Sequence, residues 1–165
     1  MRRLLATVAV LALVAVGACE RREDHPRPQG GGDPAVFRHD LSGDMSGEYR
    51  PTEAAGSAVA SLFIGQETAF AAWEAGDRSA PPLILMLNGP QGEMRVLPET
   101  YRITDAAVRM TGVTPQGQVE IEARIDQGAL ATARRNLGDR TVVISGTVQA
   151  GGRRSPVALT AWNGD

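Results

Sequence analysis

Residues 118–125 alternate without a break: Val119, Ile121, Ala123 and Ile125 are apolar, and Glu120, Glu122 and Arg124 are charged. A period of two with the charges on one side predicts a half-buried strand, most simply in an antiparallel sheet. Residues 141–148 are rich in β-branched side chains and read as another strand. Gly151-Gly152 then marks a turn, and 156–162 returns, so the C-terminal part predicts a hairpin. Upstream, 58–64, 83–87, 93–97, 101–104 and 107–113 are further strands, and Thr114-Pro115-Gln116-Gly117 is a turn between the last of these and the 118–125 strand. The run Leu83-Ile84-Leu85-Met86-Leu87 is apolar throughout, as expected of a strand covered on both faces.

Two segments break the strand pattern. Asp126 is placed to cap a helix over about 127–137, with Leu130, Ala133 and Leu137 on one face, Arg134 and Arg135 in its last turn and Gly138 as its stop. Over about 68–75 the alanines, the i,i+3 pair Phe70 and Trp73, and the following Gly76 favour a second short helix. There is no internal repeat. The pattern therefore predicts one mainly β domain over residues 40–165, a compact antiparallel β-sandwich or open barrel with one or two short helices.

The chain ahead of this domain has a different character. From Glu20 to His39 it is polar and carries Pro26, Pro28, Gly30-Gly31-Gly32 and Pro34. Such a segment buries too little surface to offset its ordering entropy, so 19–39 is expected to be a disordered tether. Its reach, at about 5–6 Å × √n, is on the order of 25 Å. Before it, Met1-Arg2-Arg3 is a basic start and Leu4 to Val16 is an uncharged apolar run, closing on Val16-Gly17-Ala18-Cys19. That order is a secretory signal peptide over 1–18. The run is too short, at 1.5 Å per residue, to cross a hydrocarbon core of about 30 Å.

Val16-Gly17-Ala18-Cys19 resembles the lipobox of bacterial lipoproteins. The resemblance implies lipidation of Cys19, the only cysteine, as the new N-terminus after cleavage. It implies a membrane-anchored protein of the bacterial envelope. In a Gram-negative cell Glu20, standing where an Asp would signal inner-membrane retention, points to the outer membrane with the domain facing the periplasm. Two or three acyl chains anchor stably where one would be marginal. The resemblance covers the first nineteen residues and carries no activity with it, because lipoproteins share an anchor and not a fold.

Composition narrows the chemistry. Loss of Arg2 and Arg3 with the signal peptide takes the formal charge from −2 to −4, which gives no electrostatic footprint for nucleic acid. With Cys19 acylated no thiol remains for a disulfide, a thiolate metal site or a nucleophile. The chain has no lysine, so Schiff-base, P-loop and serine–lysine chemistry are closed to it as well. Of the two histidines, His25 falls in the tether and His39 at the domain edge beside Asp40, a pattern with no multi-histidine metal site. There is no G-x-S-x-G elbow and no dinucleotide loop, since the glycine run lies in the tether. Neither a cofactor, a metal nor a catalytic set is expected. Glu120 and Glu122 look like solvated charges of a strand face, and Glu74, Glu93 and Glu99 lack an evident partner.

The most distinctive segment of the domain is Trp73-Glu74-Ala75-Gly76-Asp77-Arg78, bounded by Pro81-Pro82. Trp73 is expected to anchor the core, which has few other large aromatics. With Glu74, Asp77 and Arg78 it is also the candidate ligand or partner contact. Arg153-Arg154 beside Gly151-Gly152 reads as an exposed hairpin tip, with charge suited to lipid head groups or an acidic glycan. The functional expectation is a non-catalytic binding or assembly module held to the membrane by its lipid, its partner an envelope protein, peptidoglycan or a small apolar ligand. A small envelope hydrolase using loop carboxylates is the alternative from a different class.

Overall fold

The computed structural model describes residues 37–164. The expected signal peptide, Cys19 and the expected tether as far as residue 36 lie outside the described residues. Ten strands form one sheet: β1 (Phe37–Asp40), β2 (Gly47–Pro51), β3 (Val59–Ile64), β4 (Leu83–Gly89), β5 (Gly92–Val96), β6 (Thr100–Thr104), β7 (Ala107–Thr114), β8 (Gly117–Ile125), β9 (Ile144–Ala150) and β10 (Arg153–Trp162). Two helices, α1 (Glu67–Glu74) and α2 (Gln127–Arg135), fall in the β3–β4 and β8–β9 connections. The strand order is β1-β6-β7-β8-β9-β10-β2-β3-β4-β5, antiparallel at every pairing except the parallel β1–β6 edge.

That order cannot lie flat. β5 is at one edge and β6 is next to the other, yet only Leu97, Pro98 and Glu99 join them. Three residues span about 10 Å fully extended, whereas strands are about 4.8 Å apart. The sheet therefore curls into a half-barrel that brings β5 against β7. The seam is tight: a Cβ on Gly112, in β7, would lie 2.5 Å from the Leu97 carbonyl oxygen and 2.6 Å from Val96 Cγ1. The inner rows supply the core, among them Leu83, Leu85 and Leu87 of β4, Val108 and Met110 of β7, Val119 and Ile121 of β8, and Val157 and Leu159 of β10. The registers Ile64↔Leu83 and Ile125↔Ile144 put both helices at one end of the curled sheet. The β4–β5, β7–β8 and β9–β10 turns gather at the other.

The mainly β class, the open-barrel form and both helices agree with the sequence pattern. Several details differ. Phe37–Asp40, of which 37–39 fall in the expected tether, pairs with Tyr101, Arg102, Ile103 and Thr104 as an edge strand. β2 has no sequence signature beyond Tyr49, its one fully buried residue. Leu83–Gly89 is not covered on both faces: Leu83, Leu85 and Leu87 are buried while Ile84 and Met86 are half-buried on the outer face.

The glycine stop belongs to the other helix. After α1, Gly76 takes φ +101, its N–H donates to the Trp73 carbonyl, and the Asp77 N–H donates to the Ala72 carbonyl. That is the paired closure of a Schellman cap. α2 ends at Arg135, two residues before the expected Leu137, with Asn136 extended. Gly138 is not in the left-handed region, and Leu137 is 71% exposed instead of joining the Leu130 and Ala133 face.

At the start of α2, Asp126 has extended backbone and its Oδ1 accepts from the Ala129 N–H at 2.9 Å. It satisfies one of the donors a helix start leaves orphaned. Asp126→Ala is expected to cost about 1 kcal/mol, read as a lower urea midpoint with an unchanged m-value.

Candidate functional site

The segment singled out by sequence lands on one corner, where α1 meets β1 and β6. Trp73 is buried, and the Phe37 ring meets it edge-on at 6.1 Å. The Arg78 guanidinium lies over both rings, 4.6 Å from the Trp73 centroid and 4.9 Å from that of Phe37, and donates to the Trp73 carbonyl. Glu74 turns the other way. Its Oε1 is 2.9 Å from His39 Nδ1 and accepts from the Tyr101 hydroxyl at 3.2 Å. His39 in turn stacks on Phe70 at 5.6 Å. Burial, then the Glu74 charge and hydrogen bond, push the Tyr101 phenol well above its ordinary pKa. Asp77 stays outside this arrangement, its carboxylate accepting from the Ser79 N–H in solvent and held below the usual range by that contact.

So the structure brings Trp73, Glu74 and Arg78 together with His39 and Tyr101, and leaves Asp77 apart. The link between His39 and Glu74 was hidden by a separation of 35 residues. What the corner does is fasten the edge strand β1 to α1. Its one buried polar side-chain atom without a partner among the described residues is the Trp73 indole nitrogen. Also among the described residues, no three His, Cys, Asp or Glu side chains are grouped to hold a metal ion.

An opening with an apolar floor is elsewhere, at the turn end of the half-barrel. There the inward rows run out in Leu87 of β4, Met94 of β5, Thr114 of β7, Val148 and Ala150 of β9, and Ser155 of β10, around a mouth of about 430 Å³. Its floor is apolar, since Leu87 and Val148 belong to the buried core and Met94 and Ala150 pack against it. The opposite end has α1 and α2 to cover it. Among the described residues this end carries hairpin turns and the β2–β3 loop, and one of the turns is Gly151-Gly152 with φ +55 and +74. Two-residue hairpin turns with φ > 0 at both positions match the strand twist, and glycine adopts them without strain. Sequence reasoning missed the mouth because each of these residues reads as an ordinary strand end. Only the Arg153-Arg154 tip gave a signal.

The carboxylates are dispersed over the outer surface. Glu48 and Glu93 share a cleft of about 360 Å³ on the outer face of β2 to β5. Glu48 is engaged there by Arg50 Nε at 3.0 Å, and the Arg50 guanidinium sits 3.6 Å over the Trp162 ring. Glu120 and Glu122 both face Arg109 across the β7–β8 pair. Asp105 accepts from Ser42, 2.5 Å from its Oγ and 2.9 Å from its N–H, which ties the β1–β2 loop to the β6–β7 turn.

These Ser42 bonds, the hydroxyl first and then the backbone N–H, hold the Asp105 carboxyl below its usual 3.8. A carboxyl depressed in the folded state contributes stability that is present above the unfolded value and lost as pH falls through the folded one. Wild type should therefore lose stability below pH 3.8 more steeply than Asp105→Asn, in thermal melts taken down to about pH 2. Parallel acid limbs would contradict this.

A scan against protein-family models finds no match to the chain, and searches of curated proteins and of solved structures find none either.

Proposed function

We propose that this chain is a lipid-anchored envelope protein whose half-barrel is a non-catalytic binding module, holding a small apolar ligand in its mouth. The anchor rests on the lipobox-like residues ending at Cys19. The observation that carries the binding reading is the asymmetry of the two ends: helices at one, and at the other an apolar opening of about 430 Å³ continuous with the core. That volume falls within the roughly 300–1,000 Å³ range of small-ligand sites. The part of this floor that reaches water, at the half-buried Met94 and Ala150, costs free energy that a bound apolar body recovers at about 25 cal/mol per Å² covered. The hydrolase alternative draws less support, because in both acidic pairs that share a cleft among the described residues carboxylates are already engaged: Glu48, beside Glu93, by Arg50, and Asp105 and Asp126 by Ser42 and the Ala129 N–H.

The test is native mass spectrometry of the full lipidated chain released from its own membranes. A small-molecule adduct beyond the mass of the acylated protein is expected, and Ala150→Phe, which fills the mouth from an inward position, should remove it. Wild-type protein with no adduct, or an adduct retained in Ala150→Phe, would overturn the reading.

A further inference from the structure

The mouth has a charge pattern as well as an apolar floor. In β10 the inward row is Arg153, Ser155, Val157 and Leu159, of which Val157 and Leu159 are buried. Period two therefore places Arg153 at an inward-facing position, at the lip of the opening. Its cross-strand partner is Ala150, and that of Arg154 is Gln149, so neither arginine meets a carboxylate across the hairpin. Among the described residues neither forms an ion pair, whereas Arg50, Arg109 and Arg134 each do. Both arginines line the mouth, and among the described residues no Asp or Glu lines it with them. Two of the neutral polar groups there are already engaged, Asn88 donating to the Ser57 carbonyl and the Thr114 hydroxyl to the Gly117 carbonyl.

An apolar floor under two uncompensated guanidinium groups is complementary to a molecule with the opposite arrangement. We infer that the mouth takes a single-chain amphiphile with an anionic head, its chain against Leu87, Met94, Val148 and Ala150 and its head at Arg153 and Arg154. This rests on the mouth being the binding site, and adds the class of ligand. The size selects one chain, because about 430 Å³ is at the low end for a small-ligand site and too little for two. The charge selects the head: a guanidinium pairs with a carboxylate or phosphate through two parallel N–H donors, and a cation would be repelled.

The experiment uses the full lipidated chain in phosphatidylcholine nanodiscs and two photoreactive probes, dodecanoic acid and dodecanol with a diazirine at the chain end. Labelled peptides are mapped by mass spectrometry. The acid should label residues 92–95 and 148–155 about fivefold more than the alcohol, the factor expected of solvent-facing charge attraction. Arg153→Ala combined with Arg154→Ala should bring the acid down to the level of the alcohol. The double variant should melt with wild type, since both side chains are exposed on a hairpin tip. Equal labelling of the mouth by both probes would overturn the anionic class while leaving a binding mouth. Failure of both probes to label the mouth would overturn the binding site itself.

Discussion

Gly112→Val should be strongly damaging, lowering stability by about 3 kcal/mol in urea melts. Gly112 is on the inner row of β7, between Met110 and Thr114, where every other position is filled by a side chain. It is empty because the end of β5 is laid across it. The ideal Cβ position is 2.5 Å from the Leu97 oxygen and 2.6 Å from Val96 Cγ1, so the first of these obstacles is backbone and cannot rotate away. The Glu99 N–H donates to the Thr111 carbonyl at 2.8 Å beside this point, which fixes the connection. A valine must therefore push β5 off β7 and open the curl. Gly43→Val is the control, because a Cβ at Gly43 has nothing within 4 Å and its backbone is not left-handed. It should change stability by less than about 0.5 kcal/mol. Equal melts for the two variants would mean that the seam does not close as described.

Gly146 states the same rule on the other side of the core. It pairs with Ala123 in β9–β8, and its Cβ would come within 2.5 Å of Ala123 Cα. Both glycines are at inward positions of strands whose pattern is otherwise regular. Ser145-Gly146 gave no sign in the sequence of a close approach, because the atoms it makes room for belong to a neighbour more than twenty residues away in the chain. Local pattern carried the strands with strong alternation, such as Gly117–Ile125, and the hairpins with glycine turns. It carried α1 through Phe70, Trp73 and Gly76, where spacing and stop signal agree.

What local pattern could not carry is the order of the strands. Nothing in Phe37–Asp40 announces a parallel partner sixty residues on, so this stretch reads as the end of a polar tether. His39 and Glu74 were each visible as candidate chemistry, but their meeting depends on that pairing. The mouth is the extreme case. Leu87, Met94 and Val148 are unremarkable until the curl brings their strand ends to one place, and the site exists only in the closed topology. By contrast Arg153 carried a legible clue, since a charged residue in phase with Val157 and Leu159 is out of place in a core row.

On the proposed lipoprotein reading, Cys19→Ala should have the largest effect of any substitution on where the protein is found. At about 0.8 kcal/mol per buried methylene, two acyl chains hold the protein to the bilayer beyond any wash. Among the described residues no helix is long and apolar enough to replace them. The variant should appear in the soluble envelope fraction after osmotic release, lack the mass of the lipid, and melt with wild type, because residue 19 precedes the domain. Membrane retention of the unacylated variant would point instead to a surface of the domain that binds the bilayer directly. The arginine-rimmed mouth would then be the surface to examine, and a second variant decides it: loss of retention on adding Arg153→Ala and Arg154→Ala would place the contact at the hairpin tip. The acyl anchor and the mouth thus make separable demands, one on location and one on occupancy. Wild type should meet both, Cys19→Ala only the second and Ala150→Phe only the first.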